Sequence, residues 1–163
     1  MKSTPATIAG IISIIAGIVF IIAGGVTWGM VTSQLAAEEI TVPEDSSLVP
    51  GDDVNGPISA YAQAQIINEH ALAGTEGRTY AELGSMIREA EEAGETEQAE
   101  ELQAQRDSVM NASFLRASLF TSVVSYGVAA LVIGLGIILV LVGWGLTSLA
   151  RTVPVAADER RNV

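Results

Sequence analysis

The chain has 163 residues, 49% of them hydrophobic and 17% charged, with 19 acidic side chains against eight basic ones and a net charge of −11. That balance repels nucleic acid and anionic headgroups, and the lack of any cysteine excludes disulfides, thiol chemistry and thiolate metal sites. The charge is unevenly placed: residues 33–116 hold 17 acids against four arginines, net −13, and the remainder carries +2.

Residues 1–7 form a short N-terminus with one lysine, Lys2. A charge-free run then extends from Ser3 to Ala37, and residues 8–32 within it predict a first membrane-spanning helix. The run is much longer than the roughly 7–15 apolar residues of a secretory signal. Leu35-Ala36-Ala37 is a mediocre cleavage site, so an uncleaved anchor is favoured over a removed leader. Trp28 stands near the outer end, where amphipathic rings prefer the headgroup level.

Residues 38–56 contain two prolines, two glycines and six acids, and predict an extended connector with one strand-like piece at Ile40–Val42. Pro57 to Ala73 reads as a helix, with proline suited to the first turn and Gly74 to the stop. Its expected inward face is Ile58, Ala62, Ile66 and Ala73, with Tyr61 beside them. After a turn at 74–78, Thr79 and Glu82 form a T-x-x-E capping box that starts another helix. That helix should turn Leu83, Met86 and Ile87 inward and end near Gly94.

From Glu95 onward nothing breaks a helix until Ala150, so one continuous helix is expected. Its second part, residues 117–150, is 34 residues without a charge, when about 20 mostly apolar residues suffice to span a bilayer. The tail 151–163, with Pro154, is expected to be disordered.

The fold class expected is an all-α membrane protein. It is an antiparallel two-helix transmembrane hairpin with a small, acidic, mostly helical extracytoplasmic insertion (33–116), and a long second helix extends out of the bilayer. Lys2, Arg151, Arg160 and Arg161 flank one side of the spans, and Arg106 and Arg116 the other. By that bias both termini are cytoplasmic and the protein is multi-pass in the plasma membrane.

The spans carry a pattern of their own. Ala-Gly occurs at 9–10, 16–17 and 23–24, and Ser122, Ala129, Gly136, Gly143 and Ala150 also recur every seven residues. Small residues let helix backbones approach closely in lipid, and a period of seven implies a left-handed crossing. The spacing predicts a seam pairing Gly10 with Gly143, Gly17 with Gly136 and Gly24 with Ala129. The alternative is that glycine is simply common in spans. Gly127 and Gly134 lie off this seam and face either a partner helix or nothing.

No constellation points to a reaction. His70 is the only histidine, too few for a zinc hydrolase or a two-histidine iron site. It reads as a helix-surface or helix-interface residue, with pH sensing as the remaining alternative. Glu89 to Glu101 holds seven acids without EF-hand spacing, and reads as a solvated helix hairpin before a calcium site. Asp52-Asp53 is a turn before it is a metal site, and Asn111-Ala112-Ser113 fits a glycosylation pattern inside a predicted helix. No ionisable residue lies within either span, which argues against an ion pathway. No catalytic residue, metal ligand, cofactor or small-molecule substrate is identified.

Two segments, DVNGPISAYAQAQIINEHALAGTEGRTYAEL and RDSVMNASFLRASLFTSVVSYGVAALVIGLG, resemble a family of small actinobacterial two-span membrane proteins. Many members bear the name aromatic ring-opening dioxygenase. Met110-Asn111-Ala112-Ser113-Phe114 carries the resemblance most specifically. The resemblance implies the membrane hairpin and the bacterial setting. The name implies metal-dependent ring cleavage, which one histidine, no cysteine and no buried polar cluster contradict.

The expected role is therefore a non-enzymatic scaffold or accessory subunit of an envelope or membrane complex. Its partners would be the lipid bilayer and a membrane protein or further copies of the chain. The alternative is an extracytoplasmic sensor or binding module for a cation or envelope component.

Overall fold

The computed structural model describes residues 4–152. Of the tail expected to be disordered, residues 151–152 instead continue α4, and positions from 153 on lie outside the described residues. Among the described residues there are four helices: α1 (Thr4–Ala37), α2 (Pro57–Ala73), α3 (Tyr80–Ala93) and α4 (Thr96–Thr152). The described chain divides into two compact units, residues 4–29 with 127–152, and Met30–Tyr126.

In the first unit, α1 and α4 meet through glycines that leave room for no side chain. The long apolar residues of both helices, among them Ile12, Ile22, Leu131 and Leu141, are exposed. The most apolar stretch of α1 is only 11% buried and that of α4 only 17%. A soluble core helix buries such a surface. These two helices are long and apolar enough to cross a membrane and leave that surface uncovered.

The second unit has two small cores. In one, Leu35, Val42, Val54, Ala60, Ala62, Ala64, Leu119 and Tyr126 pack together. The segment 38–56 is a correction to the expected extended connector. It folds back on itself through an isolated antiparallel bridge between Thr41 and Asp53. Val42 N–H donates to the Asp52 carbonyl at 2.9 Å and Val54 N–H to the Ile40 carbonyl at 2.8 Å. Gly51, at φ +77, makes the return turn. The closure is driven by burial: Val42 and Val54 are each 1% exposed.

α2 spans the expected residues, but its buried surface is not the expected stripe. Ala62 and Ile66 are inside, whereas Ile58 is 64% exposed and Tyr61 and Ala73 are also exposed. Ser59, Ala60 and Ala64 are buried instead. At 3.6 residues per turn, Ala60 and Ala64 lie nearly opposite Ala62 and Ile66, so α2 is covered on two sides. Small side chains permit that close approach.

The other core joins α3 to the start of α4, with Leu83, Ile87 and Ala90 against Ala99, Leu102 and Val109, and Met86 partly covered. The Thr79–Glu82 capping box has both its bonds: Glu82 Oε2 accepts from Thr79 N–H at 2.8 Å, and Thr79 Oγ1 accepts from Glu82 N–H at 3.4 Å. The Thr79 N–H, joined by the Thr79 hydroxyl donating to Glu82 Oε2 at 2.7 Å, holds the Glu82 carboxyl below the ordinary carboxylate range. At its other end α3 stops at Gly94, left-handed at φ 76, and Glu95 N–H reaches back to Ala90 O at 2.8 Å. Arg106 runs past Gly84, where a Cβ would come within 3.3 Å of its guanidinium, and lies 4.1 Å over the Tyr80 ring. All seven acids from Glu89 to Glu101 are on the surface.

Candidate functional site

The residues singled out for helix packing come together within the first unit, and all six are buried. A Cβ built on Gly10 would lie 2.7 Å from the Gly143 carbonyl oxygen and 2.7 Å from Thr147 Cγ2. One on Gly17 would lie 2.5 Å from the Gly136 oxygen, and one on Gly24 would lie 2.9 Å from the Ala129 oxygen. The contacts are reciprocal: a Cβ on Gly136 would lie 2.6 Å from the Gly17 oxygen, and one on Gly143 would strike the Gly10 oxygen. Partner numbers fall as the α1 numbers rise. Only a hydrogen fits between these backbones, the geometry of Cα–H···O contacts. Flanking each contact is a branched side chain of the facing helix: Ile133, Val140 and Thr147 on α4, and Ile14 and Ile21 on α1.

Not every member of the two heptad series takes part. Ala150 is buried, but Ser122 is only half-buried, and its hydroxyl bonds back to the Ser118 carbonyl at 3.4 Å. Gly127 and Gly134 have nothing within 4 Å of a built Cβ, and the same holds for Gly25, Gly29 and Gly145. Gly25 and Gly29 form a G-x-x-x-G pair on α1.

In the second unit the polar centre is Tyr126, 1% exposed and absent from the sequence reading. Its hydroxyl donates to the Asn55 carbonyl at 3.2 Å and lies 2.8 Å from Thr32 Oγ1. The phenol has one proton, so Thr32 is the donor of the second bond. One buried hydroxyl thereby ties α4 to both α1 and the end of the 38–56 loop. Beside it, buried Ser59 Oγ accepts from Asn55 N–H and Gly56 N–H, each at 3.2 Å. These bonds hold the start of α2. The only sequence signal for Tyr126 was a tyrosine inside an uncharged run, where a hydroxyl needs a partner.

His70 lies at the surface of α2, with Nε2 2.7 Å from Asp45 Oδ2. That hydrogen bond holds the Asp45 carboxyl below its usual range. The pair fastens the loop to α2 from an exposed position, the helix-surface placement among those expected for His70. Asp52 and Asp53 belong to the loop's return turn and bridge. Among the described residues no three His, Asp or Glu side chains gather as a metal site.

No family model matches the chain, and neither a curated protein nor a solved structure does.

Proposed function

We propose that the protein is a two-span integral membrane protein of the type its sequence resembles, acting as a scaffold or accessory subunit without chemistry of its own. In this reading α1 and α4 cross the plasma membrane as an antiparallel hairpin closed by the glycine seam. Both termini are cytoplasmic and residues 33–116 form an acidic extracytoplasmic head. The observation that carries the reading is the pairing of two facts. Only 11% and 17% of the residues in the most apolar stretches of α1 and α4 are buried, while their glycines pack backbone to backbone. Lipid is the solvent in which a bare apolar surface costs nothing and close glycine packing supplies the association.

A partner helix is supported by the glycines that the chain itself does not use. Gly127 and Gly134 on α4 stand open on a face of their own. Purification in mild detergent is expected to give a particle larger than one chain, either an oligomer or a complex with another membrane protein. Gly134→Ile is expected to weaken that association at least tenfold, measured by size-exclusion with light scattering. The chain's own fold should be little affected, because nothing outside the local helix lies within 4 Å of a Cβ at this position. A strictly monomeric wild-type particle with no companion contradicts the scaffold reading.

A further inference from the structure

We propose that a crevice in the Met30–Tyr126 unit seats the headgroup of one phospholipid and prefers a primary ammonium group to an anionic headgroup. The proposal rests on the membrane reading above. The crevice has a volume of about 700 Å³, and its walls come from the end of α1, the start of the loop, α2 and α4.

Its position follows from the residues that line it. Gln34 and Glu38 straddle the point where the first charge-free run ends, and Leu115, Ser118 and Leu119 straddle the point where the second begins. At about 50 Å each, the two runs outlast the roughly 40–45 Å of a bilayer with its headgroups, so these ends stand at the outer edge of the headgroup layer. The lining is divided in kind. Leu119, on the membrane side of Arg116, offers apolar surface toward the first acyl carbons, while the Gln34 and Gln63 amides, the Ser118 hydroxyl and the Glu38 carboxylate offer polar atoms.

Charge selects the headgroup. Glu38 is the single charged residue in the lining, and no lysine or arginine joins it. Arg116, nearby in sequence, lies over the Phe120 ring at 5.8 Å and does not line the crevice. The surrounding segment, residues 33–116, carries −13. An ammonium meets a carboxylate there, whereas a net anion meets repulsion at short and long range. Gln63 Oε1 adds a second reason. It is closed off from solvent without a hydrogen-bond partner. A turn of the amide toward the crevice gives it a donor when an ammonium is bound.

The test uses the full chain, reconstituted in vesicles of equal parts phosphatidylethanolamine, phosphatidylglycerol and phosphatidylcholine. The chain is re-extracted in mild detergent and weighed by native mass spectrometry. One phosphatidylethanolamine per chain is expected to remain. Glu38→Lys, at an exposed position, should lower its retention at least tenfold and favour phosphatidylglycerol. Ser118→Trp should remove bound lipid by filling the space, with helix content checked by circular dichroism. Leu131→Ala, on the exposed apolar surface of α4, should change nothing. Equal retention of the three lipids, no retained lipid, or a Glu38→Lys protein that behaves as wild type overturns the proposal. Alkaline carbonate extraction separates the two failures. A chain released from the vesicles sinks the membrane reading along with the crevice, and a chain that stays without retaining phosphatidylethanolamine sinks the crevice alone.

Discussion

Leucine at position 17 is expected to unfasten α1 from α4. The first atom of the new side chain falls 2.5 Å from the Gly136 carbonyl oxygen and the next group meets Val140, whose Cγ2 is already 2.8 Å away. Overpacking a close-fitted interior costs typically about 1–3 kcal/mol when side chains move aside. Here the nearest obstacle is backbone, which has no rotamer to turn to. The expected cost is therefore at or above the upper end, ~3 kcal/mol. Leucine at position 145, where nothing outside the local helix lies within 4 Å of a Cβ, should cost little. Each span stays helical by itself in detergent, because its backbone bonds are internal, so helix content is the wrong readout. The chain has no cysteine, and spin labels at Ile12→Cys and Leu141→Cys, both exposed positions of the first unit, report proximity directly. The distance distribution should be narrow in the parent and in Gly145→Leu, and broad in Gly17→Leu. A Gly17→Leu protein with the parent's distribution would show that the seam does not hold the helices.

Tyr126 should be the most sensitive single side chain of the second unit. Tyr126→Phe keeps the ring and removes one hydroxyl, which leaves the Asn55 carbonyl and the Thr32 hydroxyl short of a partner. An unsatisfied buried polar group costs about 1–3 kcal/mol, and these two, only partly buried, fall at the low end. Tyr126→Ala also empties the centre of the core it shares with Val42, Val54, Leu35 and the α2 alanines, a change of about 3–5 kcal/mol for a large aromatic. The amides to follow are Val42 and Val54, whose hydrogen bonds close the loop. With a tenfold change for every 1.4 kcal/mol, their hydrogen exchange should speed up by about 100-fold or more in Tyr126→Ala. Exchange in Tyr126→Phe should speed up by about 10-fold. Unchanged protection in Tyr126→Ala would mean that the loop is held by something other than this core.

The two effects differ in how readable they were. Glycine series at 10, 17, 24 and at 136, 143 are visible because small residues repeating every seven places in an apolar run have few other uses. The Thr79–Glu82 box and the Gly94 stop are also local, because each is written within four or five residues. The closure of 38–56 was not legible. Its prolines, glycines and acids read as a spacer, and the burial of Val42 against Val54 depends on a contact twelve positions apart with α2 beneath it. The α2 face was misread for a related reason. Alanine is the best helix former and is equally at home on either side, so a helix covered on two sides by Ala60, Ala62 and Ala64 carries no stripe. The crevice was invisible because its lining comes from three separate stretches of chain, 34–40, 63–67 and 115–122.

The central claim, that α1 and α4 are immersed in lipid with the acidic segment outside, is tested most directly by water-soluble, membrane-impermeant maleimide. Two single-cysteine variants of this cysteine-free chain suffice, Asp52→Cys in the loop and Ile138→Cys on the bare surface of α4. The account predicts that position 52 is labelled in intact cells and that position 138 resists the reagent until the chain is denatured. Rapid labelling of position 138 in the folded protein would place α4 in water and contradict the account, and protection of position 52 in intact cells would reverse its orientation.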